Sequence, residues 1–170
     1  MDTYLAVASK RDWRSYADRP VPKDVQQRIL DAGRLSGSAS NRQPWRFVVV
    51  EDGEWKQALA LTVYSPANVQ AAAFAVAILT EGGGRPFDVG RAAQNMMLAA
   101  WNDGVVSCPN GMPDPTDTAD ALGLEGDLLP VIVLSFAYPR RDLMPESESA
   151  EDWSAEADRL ALDELVVPRG

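Results

Sequence analysis

Residues 10–19 form the first of two stretches whose side chains could bind a ligand. Four of the sixteen lysines and arginines of the chain fall in these ten positions, although the net charge of the chain is -9. Guanidinium groups hold phosphate through paired hydrogen bonds, so the cluster predicts an anion site that suits a phosphate. A solvated charged turn, in which Asp12 and Asp18 pair with the arginines, is the alternative that the pattern leaves open.

The second stretch, residues 36–50, joins a loop of small polar residues to an apolar run. The backbone of residues 36–40 can approach a ligand closely, and the β-branched and aromatic residues 47–50 predict a buried strand. Pro44 excludes Gln43 from the α region, so we expect the chain to enter the strand extended. A strand that fixes such a loop suits a cofactor site, but an ordinary helix-to-strand connector has the same pattern.

The composition limits the chemistry that the side chains can supply themselves. The chain has no histidine, which excludes Ser-His and Cys-His nucleophiles and removes the commonest transition-metal ligand. Cys108 is the only cysteine, so an internal disulfide and a cysteine-cluster metal site are excluded. No Lys or Arg adjoins Cys108 in the sequence, and we interpret it as a packed thiol. An enzyme with these residues typically depends on an organic cofactor, and we expect no metal.

Length and charge indicate the class of protein. The 170 residues, 46% of them hydrophobic, are expected to form one domain over residues 1–170. An acidic chain lacks the basic face that nucleic acid requires. The longest apolar run, residues 71–79, is too short to span a bilayer, and residues 10–12 interrupt any signal-peptide pattern. We therefore predict a cytoplasmic protein that binds neither nucleic acid nor a membrane.

The hydrophobic pattern predicts helices alternating with strands around these two stretches. Residues 64–68 read as irregular. Residues 74–80 read as a central strand, although their alanine content leaves a helix possible. The pair Asn110-Gly111 favours a tight turn with positive φ, whose backbone N–H groups could meet a ligand. The expected helices are residues 1–9, 22–35, 54–62, 88–102 and 115–124, and the other expected strands are residues 47–50 and 131–136. Residues 105–113 read as a strand edge followed by a turn.

The predicted helix 88–102, with Asp88 as its N-cap, is apolar on nearly every face. A monomer of this size has difficulty burying such a helix, so we predict that it forms a dimer interface. Residues 140–158 are acidic, without a steady period, and are expected to form an extended arm. The arm leads to the more apolar residues 159–167, a pattern typical of a segment that crosses to a partner subunit.

Four separated stretches resemble, in order, the motifs of the FMN-dependent nitroreductase family. Together they extend over most of the chain. Each motif alone is weak, but their common order is fairly specific. They are residues 11–16 with 19–22, residues 38–47 (Ser-x-x-Asn-x-Gln-Pro-Trp-x-Phe), residues 92–101 followed by Gly104 and 108–111 (Cys-Pro-Asn-Gly), and residues 159–166.

The resemblance implies an α+β fold with a mostly antiparallel central sheet flanked by helices, in an intertwined homodimer with C-terminal arm exchange. FMN would lie at each subunit interface. The implied activity transfers hydride from NAD(P)H through flavin N5 to an electron-poor acceptor such as a nitroaromatic or a quinone, with ping-pong kinetics. Three alternatives stay open: a flavin-binding or flavin-handling protein without robust turnover, a relative that uses a deazaflavin or an unusual electron donor, and a purely structural dimer.

The resemblance also assigns site residues, while the flavin itself would supply the chemistry and no side chain is expected to be catalytic. Asn68 would match an amide at the ring edge. The residues of the family motifs fall into three groups: Lys10, Arg11, Arg14 and Arg159 for the FMN phosphate; Gly37, Ser38, Ala39 and Asn41 for the loop that approaches the flavin from the other subunit; and Pro109, Asn110 and Gly111 for backbone contacts to the ring.

Three features depart from the family pattern. Asp12 stands where a serine is usual, and a carboxylate cannot donate a hydrogen bond to phosphate. Ala157 stands where a second basic residue often precedes the C-terminal arginine. The chain is also shorter than most relatives, so we expect the helices that roof the substrate pocket to be reduced and the flavin to be more open.

Overall fold

The computed structural model of the protein describes residues 1–51 and 53–169. The chain divides into two compact units. One combines Met1–Lys10 with Met144–Gly170, and the other is Arg11–Leu143.

The larger unit is built on a four-stranded sheet. Its strands, in chain order, are β1 (Arg46–Val50), β2 (Phe74–Glu81), β3 (Val106–Asn110) and β4 (Leu128–Ala137). They lie side by side in the order β1-β2-β4-β3, and every neighbouring pair is antiparallel. The predicted antiparallel sheet is therefore confirmed, and the run read as a central strand is β2, between β1 and β4.

One face of the sheet packs on two long helices, α2 (Lys23–Arg34) and α5 (Pro86–Asn102). Alternate strand residues point to this face, where the rings of Phe74 and Phe136 stack with their centroids 4.9 Å apart. The helices approach each other closely at Gly33, where an added Cβ would lie 2.1 Å from Met96 Cε. A larger residue at this crossing would force the buried side chain of Met96 to move.

Shorter helices contribute to the core on the other face of the sheet. They are α3 (Gly53–Ala60), α4 (Pro66–Gln70) and α6 (Pro115–Ala121). Leu59 of α3 and Val69 of α4 are fully buried in the core cluster that includes Val133 of β4. The prediction of an irregular segment at residues 64–68 is wrong in part, since α4 begins there with Pro66 in its first turn.

Helix α5 differs in two ways from its prediction. Its N-cap is Arg85, at φ 64°, whereas Asp88 lies inside the first turn. It is also not buried all round within one chain, because Phe87 is 77% exposed and Gly90 is exposed too. The exposed residues form the side of α5 that a partner subunit could cover, and the dimer stays a prediction.

The smaller unit contains α1 (Thr3–Ser9), the 3₁₀ turn Pro145–Ser147, α7 (Ala150–Glu156) and α8 (Leu162–Leu165). Helix α1 packs against α7, and the N-terminal ammonium pairs with Glu146 at 3.2 Å. Helix α7 begins with a capping box between Ser149 and Asp152, so the segment predicted to be extended is helical in part. The apolar side chains of Tyr4 and Val7 on α1 are exposed.

The end of the smaller unit is apolar and exposed. Residues 160–167 include five large hydrophobic residues that are more than half exposed in the single chain. In the described residues, no helix is both long and apolar enough to cross a membrane. The five residues are Leu160, Leu162, Leu165, Val166 and Val167.

Candidate functional site

Residues 12–17, in the basic N-terminal part of the larger unit, lie along the ends of β3 and β4. Asp12 forms a parallel bridge with Ser107, and the backbone N–H of Trp13 donates to Ser107 O at 3.0 Å. Further along, the backbone N–H of Ala17 donates to Tyr138 O at 2.8 Å. These contacts extend the sheet by a few residues and fix the position of Arg14 between them.

Arg14 lies next to the thiol of Cys108. Arg14 Nε donates to Cys108 Sγ at 3.4 Å, and the rest of the side chain is exposed. The hydrogen bond to Cys108 is the main interaction that raises the pKa of Arg14, and the nearby carboxylate of Asp12 raises this pKa further. Cys108 is fully buried, as expected for a packed thiol, but its basic neighbour comes from a position 94 residues earlier. Sequence neighbours could not reveal that contact.

Two buried amides adjoin the same thiol. Asn68 Nδ2 donates to Asn110 Oδ1 at 3.1 Å and to Cys108 Sγ at 3.8 Å. Asn110 Nδ2 is directed into the sheet, where its acceptors include Cys108 O at 2.9 Å. Asn68 is 7% exposed and Asn110 is 3% exposed. The two amides therefore form a fixed polar patch in an otherwise apolar layer.

Tyr16 and Ser135 continue this polar patch. The Tyr16 hydroxyl and Ser135 Oγ are 2.9 Å apart, and Ser135 Oγ also accepts from Asn110 Nδ2 at 3.2 Å. Burial raises the pKa of Tyr16 to about 12, despite the opposing effect of its hydrogen bond to Ser135. The phenol is thus neutral near pH 7 and cannot give up its proton there.

The turn predicted at Asn110-Gly111 has a different form. Asn110 is the last residue of β3, and neither it nor Gly111 has a positive φ. Gly111 O accepts the backbone N–H of Tyr64 at 3.0 Å, and Pro109 is half-buried beside Cys108. The side chain of Asn110 is buried in the network instead of lying at the tip of a turn, because β3 pairs with β4 up to this residue.

The loop before β1 has an unusual backbone. Ser40 and Asn41 have φ 52° and Gln43 has φ 48°, all in the left-handed region that residues other than glycine rarely adopt. The expected extended entry at Gln43 is therefore wrong, although Pro44 does keep it out of the right-handed α region. The backbone N–H of Gln43 donates to Ser38 Oγ at 2.8 Å, which stabilises this conformation.

Side chains of helix α5 contact the loop and the residue before it. Asn95 Nδ2 donates to Ser36 Oγ at 2.7 Å, and the backbone N–H of Ala39 lies 3.5 Å from the buried carboxylate of Asp88. A Cβ added at Gly37 would lie 2.4 Å from Arg91 Nη2. These supporting residues were not predicted from the sequence. The polar positions of α5 were the available signal, but nothing in their spacing links them to the loop.

The structure brings together only part of the predicted site. Arg14, Asn68, Pro109 and Asn110 gather near Cys108, and the half-buried Arg11 precedes this cluster along the chain. Lys10, the C-cap of α1, and the exposed Arg159 belong to the smaller unit.

The loop of residues 37–41 lies at the opposite edge of the sheet from residues 109–111. It leads into the edge strand β1, whereas residues 109–111 end or follow the opposite edge strand, β3. Two strands separate these edges, which at about 4.8 Å per step is a distance of about 14 Å.

Comparison with known proteins identifies relatives along most of the chain. The profile of the nitroreductase family matches residues 7–83 and 80–138. An Archaeoglobus fulgidus protein named "Putative NADH dehydrogenase/NAD(P)H nitroreductase" is 30% identical over 145 residues, which cover 79% of this chain and 83% of that protein.

Solved structures share the fold. A nitroreductase family protein of Clostridium difficile is 25% identical and superimposes with a TM-score of 0.82 over 98% of each chain. A Desulfovibrio desulfuricans protein, crystallised as a putative nitroreductase in complex with FMN, is 24% identical, with a TM-score of 0.83 over 100% of this chain and 98% of that one. Both have nearly the length of this chain, since each alignment covers at least 98% of both chains.

Proposed function

The chain belongs to the nitroreductase family, and from that premise we propose that it is an FMN-dependent oxidoreductase with NAD(P)H as its reductant. The second substrate would be an electron-poor compound such as a nitroaromatic or a quinone. The main support from the structure is the contact of Arg14 with Cys108, beside the buried pair of Asn68 and Asn110.

The donors and acceptors at this cluster fit the two chemical parts of FMN. Arg14 uses Nε for the thiol, and its other N–H groups belong to the exposed end of the side chain. A guanidinium in that state can hold a phosphate through two hydrogen bonds. An amide side chain suits the carbonyl and N–H groups at the edge of a flavin ring. We propose that Arg14, with Arg11, holds the phosphate and that Asn68 contacts the ring.

A second copy of the chain would complete the site. The loop at residues 37–41 and residues 109–111 lie at opposite edges of one sheet, so we propose that the loop serves the cofactor of the partner. The exposed apolar residues 160–167 are suited to pack on a partner subunit. As the family motifs imply, we also propose Arg159 and Lys10 as residues that contact the phosphate.

In this proposal the protein orients the reactants and does not exchange protons. FMN, when bound, would accept hydride from the nicotinamide and pass electrons to the second substrate. The chain has no histidine, and Tyr16 stays protonated because burial raises its pKa to about 12. Backbone N–H groups near residues 109–111 would stabilise negative charge on the cofactor. Water and the substrate would supply any protons.

Anaerobic reduction tests the proposal directly. Protein saturated with FMN and freed of excess cofactor is mixed with NADH or NADPH, and the visible flavin absorption is followed. We expect rapid bleaching by at least one of them, and recovery of the spectrum when a nitrobenzoate or benzoquinone is added. Failure to retain FMN would refute the proposal, and retained FMN that neither nucleotide bleaches would favour the flavin-handling alternative.

Two arginine variants provide the matched comparison. Arg14→Ala should lose FMN during removal of excess cofactor. Arg34→Ala should retain it, because Arg34 is an exposed residue of α2 that pairs with Asp31. Equal retention by the two variants would contradict the assignment of Arg14 to the phosphate.

A further inference from the structure

The side-chain amide of Asn68 has one orientation that satisfies its neighbours. Its Nδ2 donates to Asn110 Oδ1 and to Cys108 Sγ, so both hydrogens of the NH₂ group are used. A rotation of the amide by 180° would bring its carbonyl oxygen against Asn110 Oδ1. Two acceptors would then face each other in a buried site, which is unfavourable.

Asn110 is itself held in one orientation. Its Nδ2 lies 2.9 Å from Cys108 O, 3.2 Å from Ser135 Oγ and 3.3 Å from Val133 O. All three positions offer acceptors, and two of them are backbone carbonyls that cannot donate. If the Asn110 amide rotated, its Oδ1 would face these two carbonyl oxygens, which would lose the hydrogen bonds that Asn110 Nδ2 donates. The Oδ1 of Asn110 is therefore always directed at Asn68.

Ser135 and Tyr16 stabilise this orientation of the Asn110 amide through hydrogen bonds. Ser135 Oγ donates to Cys108 O at 3.2 Å, which leaves its lone pairs for Asn110 Nδ2 and the Tyr16 hydroxyl. Ser135 is fully buried and Tyr16 is 4% exposed. Buried networks in which every member has a partner specify one arrangement strongly, because each alternative leaves a polar group unsatisfied.

We propose that Asn110 is a positioning residue which, supported by Ser135 and Tyr16, fixes Asn68 so that its Oδ1 is presented as an acceptor. Within residues 1–51 and 53–169, no donor pairs with that oxygen, and it is not fully buried. A fixed lone acceptor selects a ligand with an N–H group at that point. This inference rests on the proposed function, since the ring system of oxidised flavin carries one such N–H, between two carbonyl groups.

The variant Asn68→Asp separates an orienting role from a merely structural one. A carboxylate accepts hydrogen bonds through both oxygens and needs no neighbour to orient it. In the Asn68→Asp background, Asn110 Oδ1 would face a carboxylate oxygen, and two acceptors would then oppose each other. Removal of the Asn110 side chain would relieve this repulsion. Loss of the Asn110 side chain should therefore weaken FMN binding when residue 68 is the native amide and should not weaken it in the Asn68→Asp background.

The test is a double-mutant cycle on FMN affinity, measured by quenching of flavin fluorescence on apoprotein. We expect Asn110→Ala to weaken FMN binding about tenfold in the wild-type background, the size of one buried hydrogen bond. In the Asn68→Asp background, the same change should leave the affinity within about threefold or improve it. Asn102→Ala, a surface asparagine at the end of α5, should leave FMN affinity unchanged in the wild-type background.

Each outcome of the cycle has one meaning. Equal weakening by Asn110→Ala in both backgrounds overturns the orienting role while leaving the proposed function intact. A wild-type protein that takes up no FMN overturns the proposed function, and this inference with it. If circular dichroism shows that Asn110→Ala is unfolded, Ser135→Ala replaces it under the same criterion, because it removes one acceptor that holds the Asn110 amide.

Discussion

Replacement of Arg14 by alanine should weaken FMN binding through the phosphate alone. Arg14 commits Nε to Cys108 Sγ at 3.4 Å and keeps its other N–H groups for a ligand. Hydrogen bonds to charged groups contribute about 1.5–3 kcal/mol each. The side chain is exposed, and solvent weakens such contacts, so we take the low end and predict FMN binding weakened about 10- to 30-fold.

Riboflavin isolates this effect, because it has the ring of FMN without the phosphate. Fluorescence titrations of the wild type and of Arg14→Ala with both flavins should show that riboflavin affinity changes less than about twofold. Arg14→Lys retains the charge but loses the paired N–H groups and the contact with Cys108, so its FMN affinity should lie between that of the wild type and that of Arg14→Ala. Raising the salt concentration should narrow the difference between wild type and Arg14→Ala.

One result would refute this assignment. If Arg14→Ala weakens FMN and riboflavin by the same factor, then Arg14 stabilises the fold around Cys108 and does not hold the phosphate. Arg34→Ala serves as the control for a lost surface arginine and should leave both affinities unchanged.

Three further predictions concern the fold. Phe136→Ala should lower the free energy of unfolding by about 3–5 kcal/mol in urea titrations, because the ring is fully buried against Phe74, whereas Leu61→Ala, at a side chain that is 77% exposed, should change it by less than about 0.5 kcal/mol. Gly33→Ala should cost about 1–2 kcal/mol because its methyl group would meet Met96, while Gly53→Ala, with open space around its Cβ, should be nearly neutral. Burial raises the pKa of Tyr16 to about 12, above its ordinary value of 10. The stabilisation of the folded state by the neutral buried phenol is therefore fully present below pH 10 and is lost between pH 10 and 12, at about 1 kcal/mol per pH unit. The free energy of unfolding of Tyr16→Phe should fall less steeply over that range.

The strands could be predicted because their residues have a strong local signal. Residues 47–50, 74–80 and 131–136 are rich in β-branched and apolar residues, and all three are strands of the central sheet. The helix at α4 could not be predicted, since five residues with a proline at the start give no periodic pattern. The backbone of Gln43 was also beyond prediction, because its hydrogen bond to Ser38 competes with the ordinary preference before proline.

The candidate site was predictable as a set of residue types but not as an arrangement. The basic motif identified Arg14, yet its contact with Cys108 joins positions 94 residues apart and depends on the bridge between Asp12 and Ser107. The buried direction of the Asn110 side chain follows from the register of β3 against β4. The local sequence favours a turn at Asn110-Gly111, and the pairing of β3 with β4 makes Asn110 the end of a strand instead.

Native mass spectrometry of the purified protein after incubation with FMN tests the central claim most directly. It reports the number of chains and the number of bound flavins in one measurement. We predict a species with two chains and two FMN molecules, since the loop at residues 37–41 would serve the cofactor of the partner. A single chain that retains FMN would contradict the shared site, and a dimer without flavin would contradict the proposed cofactor.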